Sequence, residues 1–349
     1  KRLADLKAEL ARRGWDGFVV PRNDEHQGEY VPPRAERLAW LTGFTGSAGA
    51  AGVIGEKAAI FVDGRYTLQV RNEVDCSLFT PRHISEEPLR DWIAAELPAG
   101  GRFAYDPWLH SEAQSKALQK AVDSAGGSLI AAESNPLDAV WQDQPQPPLA
   151  PVLPHDLAYA GKSSQDKRAD LAAELRQRDI KAAVLSLPDS IAWLLNVRGG
   201  DVPCTPLPLS FAVLQDDGRV GWFVAPEKLS ADLSAHLGNA VSCQPPADFL
   251  AALDSLAGQR VLLDPASAPA ILFHRLEQAG AEIVRDSDPC QLPKATKNDV
   301  ELAGARAAHR RDGGALTCFL AWVDREAPRR AENGGLSELE AVAALADFR

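Results

Sequence analysis

The chain has 349 residues, 45% of them hydrophobic and 24% charged, with a formal net charge of −11. That composition is ordinary for a globular protein, and a single core stops growing near ~250–300 residues, so two or three domains are expected. The negative balance argues against nucleic acid or an anionic membrane surface as partner, and no apolar run approaches the ~18 residues that a spanning helix needs.

Leu3, Leu6 and Leu10 fall at helical spacing in a helix over 4–13 that stops at Gly14. A short buried strand over 16–20 ends at Pro21, and a short helix over 36–41 is stopped by Gly43. The stretch 42–52, TGFTGSAGAAG, is built of very small residues that let backbones approach closely. Its glycine spacing does not match a dinucleotide fingerprint, and no P-loop Lys-Ser/Thr follows. Strands over 52–54 and 58–62 turn at Gly55-Glu56, and Asp63-Gly64 breaks the second. Arg65 follows that break directly, at a strand end, where open α/β sheets place functional groups; it is the first candidate for a functional side chain.

Further on, a helix over 67–74, a strand over 77–80, a helix over 88–96, a strand over 102–105 and a helix over 111–125 are expected, with a short turn over 135–141. The segment 143–154, DQPQPPLAPVLP, is proline-dense and reads as a connector closing the first domain.

The second domain repeats the first. Residues 169–178, ADLAAELRQR, match 4–13, ADLKAELARR, at seven of ten positions. A strand over 182–185, a Trp-bearing short helix at Trp193 and a hairpin over 209–214 and 220–224 then follow in the same order as in the first domain. A helix over 249–256, a strand over 260–263, a helix over 268–278 and a strand over 281–284 complete it. Residues 198–203, RGGDVP, read as a rigid inter-domain loop. From Lys294 the character changes: one long helix covers 298–325, and Ser337 and Glu340 form the capping box of another.

Few residues suggest catalysis. The seven histidines, His26, His83, His110, His155, His236, His274 and His309, are isolated from one another, and no HExxH occurs. Ser47 is not in a Gly-x-Ser-x-Gly elbow. The five cysteines are scattered without a CxxC, which fits free thiols in a reducing compartment and excludes a cysteine zinc site. Methionine is absent where average usage gives about seven, which reads as a fragment or as a chain from which modified methionines were dropped.

The pieces 24–30 (DEHQGEY), 40–49 (WLTGFTGSAG) and 63–66 (DGRY) resemble the N-terminal domain of long-form Xaa-Pro aminopeptidases, in the creatinase/prolidase "pita-bread" superfamily. The likeness runs along the whole chain. It implies an α/β fold class: two tandem creatinase-N-terminal-like domains, each a mixed sheet flanked by helices, and then the first helices of a pita-bread domain. The corresponding boundaries are 1–142, a Pro-rich linker 143–159, 160–290, and 291–349. The implied function is the N-terminal part of a cytoplasmic, metal-dependent aminopeptidase that removes the first residue from peptides with proline second. The domains present would supply substrate gating and homodimer contacts. Two divalent ions, manganese, would be held by Asp, Asp, His, Glu and Glu beyond Arg349, so no catalytic or metal-binding residue is expected in this chain, and this piece alone is expected to be inactive. Arg65 matches a family arginine that contacts substrate, and Glu29 would orient it; these two are the expected substrate-binding residues. The alternative is a non-catalytic creatinase-fold module that binds peptide or protein. A single-domain creatinase or prolidase is disfavoured by the tandem repeat.

Overall fold

A computed structural model describes residues 1–331 and 334–349. It divides into two compact units, residues 1–154 with 164–294 and residues 155–163 with 295–349. In chain order the elements are α1 (Arg2–Arg13), β1 (Gly17–Pro21), α2 (Arg37–Thr42), β2 (Gly49–Ile54), β3 (Lys57–Val62), α3 (Gln69–Glu73), β4 (Thr80–His83), α4 (Leu89–Glu96), β5 (Arg102–Tyr105), α5 (Glu112–Ser124), β6 (Ser128–Ala131) and α6 (Pro136–Val140). They continue with β7 (Leu153–Pro154), α7 (Leu157–Ala160), α8 (Ser164–Gln177), β8 (Ala182–Leu185), α9 (Pro188–Leu195), β9 (Val197–Arg198), β10 (Phe211–Gln215), β11 (Val220–Phe223), α10 (Ala231–Leu237), β12 (Val241–Gln244), α11 (Phe249–Asp254), β13 (Arg260–Leu263), α12 (Ala270–Ala279) and β14 (Glu282–Arg285). The last three are α13 (Gln291–Ala295), α14 (Asp299–Arg330) and α15 (Glu338–Phe348).

The larger unit holds two six-stranded mixed sheets of one topology. Their strand orders are β4-β3-β2-β1-β5-β6 and β12-β11-β10-β8-β13-β14. In each, the third strand of that order, β2 or β10, is antiparallel to both neighbours and every other pairing is parallel. The correspondence reaches single side chains. Asp106 after β5 accepts the N–H of Trp108, and Asp264 after β13 accepts that of Ala266, each at 2.9 Å. A residue three or four positions past the next strand ties back to that aspartate in both domains. Asn135 Nδ2 donates to Asp106 Oδ2 at 2.8 Å, and the backbone N–H of Asp288 to Asp264 Oδ2 at 3.2 Å. The tandem duplication read from the helices 4–13 and 169–178 is therefore present in the fold.

In the first domain α1 buries Leu3, Leu6 and Leu10 against one face of the sheet and ends at Gly14 in a left-handed conformation, φ 68°. The other face is covered by α4 and α5, with Trp92, Ile93, Leu118 and Val122. The small residues of β2 have a physical reason here. A Cβ on Gly52 would lie 2.5 Å from Cζ3 of Trp92, so only glycine lets α4 sit on the strand. Gly52→Ala is expected to cost about 1–3 kcal/mol by overpacking; urea denaturation measures it, and an unchanged midpoint would show that Trp92 moves freely.

Some local expectations shift. The strand placed at 77–80 is a turn: Asp75 Oδ1 accepts from the N–H and hydroxyl of Ser77, and the strand begins only at Thr80. β6 and β12, both short outer strands, were not anticipated. The long helix α14 runs past 325 to Arg330, with Glu326 pairing Arg329 and Arg330 at helical spacing.

The two domains of the larger unit meet through polar and aromatic contacts. Glu112 pairs with Arg285 (Nε–Oε1 2.9 Å), the N–H of Ala270 donates to His110 O at 2.8 Å, and His26 stacks on Phe211 at 4.5 Å. In the smaller unit Asn298 caps α14 by accepting from Val300 and Glu301, and donates to the carbonyl of Ala160 at the end of α7. Ser337 and Glu340 form the expected capping box of α15. Among the described residues no helix is long and apolar enough to cross a membrane.

Candidate functional site

The first domain's parallel strands β1, β3, β4 and β5 all end at one edge of the sheet, and a crevice of about 700 Å³ opens there. Its floor is the end of β1 and the start of β2, and its walls are the N-terminal turns of α4 and α5. Arg65 and Glu29 both line it.

Each is held by its own loop. The 22–30 loop is tied by buried Asp24, whose Oδ1 accepts from the N–H of His26 at 3.0 Å and of Gly28 at 2.9 Å. Residues 64–66 form a single tight turn after β3, with Asp63 at its start accepting from the Arg65 N–H at 2.9 Å. The Asp63 carboxylate also grips the Arg65 side chain, from Nη2 at 2.7 Å and Nε at 3.1 Å, and the guanidinium lies over the Tyr66 ring at 5.1 Å. Nη1 stands outside that grip. Glu29 instead accepts from Ser47 Oγ at 2.9 Å, and Ser47 in turn bonds the Tyr66 hydroxyl at 2.9 Å. Arg65 and Glu29 are thus brought to one crevice through Ser47 and Tyr66, and the carboxylate bonded to Arg65 is that of Asp63. Asp63, Ser47 and Tyr66 were not singled out as partners from sequence. The compact DGRY run was the signal available, because an aspartate two residues before an arginine can close its own turn.

The charges follow this geometry. The hydrogen bond from Arg65 lowers the pKa of Asp63, and the same pair raises that of Arg65. Hydrogen bonding to Ser47 lowers the pKa of the Tyr66 hydroxyl.

His110, on the loop after β5, also lines the crevice. Its Nδ1 lies 2.9 Å from the carbonyl of Asp106, which can only accept, so Nδ1 carries the proton. Burial lowers its pKa from 6.5 to about 4, opposed by that backbone bond. The unfolded chain therefore binds more protons between pH 6.5 and 4. The stability that His110 contributes is whole above 6.5 and is lost as pH falls toward 4, by about 3 kcal/mol. Buried Asp106 and Asp288, raised by desolvation, act in the opposite direction. Subtracting a His110→Asn variant's pH–stability profile from that of the unmodified chain isolates the histidine. Parallel profiles between pH 6.5 and 4 would refute the assignment.

Among the described residues no group of three or more His, Cys, Asp or Glu side chains could hold a metal ion.

Comparison with known proteins adds to this geometry. Residues 2–139 and 143–301 each match a family model described as the Creatinase/Prolidase N-terminal domain. The chain is 35% identical over 364 residues to a probable Xaa-Pro aminopeptidase P of Paracoccidioides brasiliensis, covering all of this chain and 59% of that protein. It is 35% identical over 360 residues to a probable Xaa-Pro aminopeptidase P of Aspergillus niger, covering all of this chain and 58% of that protein. The chain spans less than two thirds of the length of these relatives. Among solved structures, the X-prolyl aminopeptidase of Caenorhabditis elegans, described as a cytosolic enzyme with a di-nuclear active site, is similar over the whole chain and 60% of its own, with TM-score 0.90 at 27% identity.

Proposed function

The chain belongs to the creatinase/prolidase family, in its aminopeptidase P group, and from that premise we propose that it is the N-terminal part of a metal-dependent Xaa-Pro aminopeptidase. The complete protein would remove the first residue from peptides with proline in second position. The observation that carries this reading is likeness to aminopeptidase P proteins along the entire chain, through both tandem domains and into the helices that follow. In this reading residues 1–142 and 160–290 are the tandem domains, 143–159 joins them, and 291–349 opens the metal-binding domain.

Two divalent ions, manganese, serve the complete enzyme in this proposal. Such a pair would supply the complete enzyme with an activated water and Lewis-acid polarisation of the scissile carbonyl. The described residues do not fit the ions, since no group of three or more candidate ligands occurs among them. Their part is to bind and orient peptide. Arg65 offers Nη1 to a peptide carbonyl or carboxylate while Asp63 holds the rest of the guanidinium, and Glu29 sets the polarity of the same mouth. Tyr30 and Leu68, adjacent in sequence to this pair of loops and 64% and 77% exposed, suit contact with a second copy in a homodimer. The proposed location is cytoplasmic, as described for the nematode enzyme.

The test is an assay of the complete protein on an Xaa-Pro peptide with and without manganese. Manganese-dependent release of the first residue is expected from the complete protein, and none from the 349-residue chain alone. Failure of the complete protein to release it under any divalent metal would overturn the reading.

A further inference from the structure

The crevice beside Arg65 lies where adjacent strands send the chain to opposite faces of the sheet. β1 leads to α2, whose Leu38 and Leu41 pack in the cluster with α1. β5 leads to α5, whose Leu118 and Val122 pack with Trp92 and Ile93 of α4. In open α/β sheets the carboxyl edge of such a switch point is where ligands bind.

Three groups make up the polar part of its wall. Arg22, the first residue after β1, is 7% exposed; Nη2 meets Glu36 at 3.2 Å, while Nη1 is buried with no hydrogen-bond partner. A buried donor without an acceptor is costly, and a ligand oxygen relieves that cost. His110, 5% exposed, has Nδ1 committed to the Asp106 carbonyl, so Nε2 is its accepting nitrogen. α4 begins after Pro88 with no side chain capping it, and Pro88, Leu89 and Arg90 all line the crevice, so the positive end of this helix adds to Arg22 and Arg90. Pro21, Ile84 and Leu118 supply apolar wall, and Glu29 stands among the lining residues.

We propose that this crevice binds an amino acid or short peptide through its free carboxylate. The carboxylate is received by Arg22, Arg90 and the start of α4; the side chain packs on Pro21, Ile84 and Leu118; the ammonium is drawn to Glu29. A simple inorganic anion uses only half of this wall, because a neutral histidine offers it an acceptor and Glu29 repels it. The inference deepens the peptide-binding role proposed for this same crevice and rests on that reading for its ligand class; because binding is read on this chain without turnover, its failure is distinguishable from failure of the peptidase assay. If that reading holds, both reaction products belong to the proposed ligand class.

The experiment is calorimetric titration of the 349-residue chain with the dipeptide prolyl-leucine, with prolyl-leucinamide and with inorganic phosphate. Prolyl-leucine is expected to bind with Kd on the order of 1 mM or tighter. The amide, lacking the carboxylate, should bind at least about tenfold more weakly, and phosphate no better than the amide. Arg22→Gln should weaken prolyl-leucine binding about tenfold, and Arg90→Gln about fivefold. Arg90 is exposed, so its variant keeps the test decisive even if Arg22→Gln unfolds. Absence of binding at millimolar concentrations, equal binding of the amide or of phosphate, or an unaltered Kd in Arg90→Gln would each overturn the proposal.

Discussion

Replacing Arg65 by alanine in the complete protein is expected to lower kcat/KM for an Xaa-Pro peptide by about 10- to 150-fold. The residue follows the buried strand β3, and its backbone is pinned by the Asp63 side chain at 2.9 Å. The guanidinium is pre-positioned by the same carboxylate and by the Tyr66 ring, so it donates to a substrate oxygen without reorganising. Arg65→Lys should recover little, because an ammonium cannot both answer Asp63 through two nitrogens and present a third. Asp63→Asn should lose part of the activity by loosening the arginine. Steady-state kinetics of the three variants, with thermal melts to exclude misfolding, checks this. Full activity in Arg65→Ala would mean that Arg65 only solvates its turn.

The second large effect belongs to the buried ion pair of the second domain. Lys228 Nζ lies 2.6 Å from Asp201 Oδ2, and the two side chains are 4% and 0% exposed. Asp201 Oδ2 also accepts the Leu209 N–H at 2.7 Å, so it ties down the loop that begins with RGGDVP, while its Oδ1 has no hydrogen-bond partner among the described residues. Lys228→Met would leave that carboxylate buried and uncompensated, and about 3–5 kcal/mol of stability should be lost. Adding Asp201→Asn removes the stranded charge while keeping an acceptor for Leu209, so the double variant should be more stable than Lys228→Met alone. Urea denaturation followed by tryptophan fluorescence reads both, with buried Trp222 in the same domain as reporter. A loss under about 1 kcal/mol in Lys228→Met would place this pair with ordinary surface pairs.

Much of the architecture was readable in the sequence because its causes are local. Helix α1 follows from leucines at turn spacing and a glycine free to adopt φ 68°. The β2–β3 hairpin follows from Gly55, and β5 follows from the apolar run Phe103–Tyr105 behind Arg102. The capping box at Ser337 is a bond between residues three apart. The duplication shows because two domains with one strand order need the same signals in the same order. The position of Arg65 just past the end of β3 was legible too, because Asp63-Gly64 breaks the strand there.

Tertiary structure alone decided what those signals leave free. β6 and β12 are short and each pairs along one side only, so their residues carry little of the pattern that a buried strand imposes. Asp75 turned the expected strand at 77–80 into a loop, a competition between side chain and backbone that apolar content does not reveal. The need for glycine at position 52 depends on a tryptophan forty residues later. The crevice itself joins Arg22, Ser47, Arg65, Arg90 and His110 from five separate loops and helix ends. No spacing rule connects them, because their proximity is set by the order of strands in the sheet, and that order is fixed by which faces the helices bury.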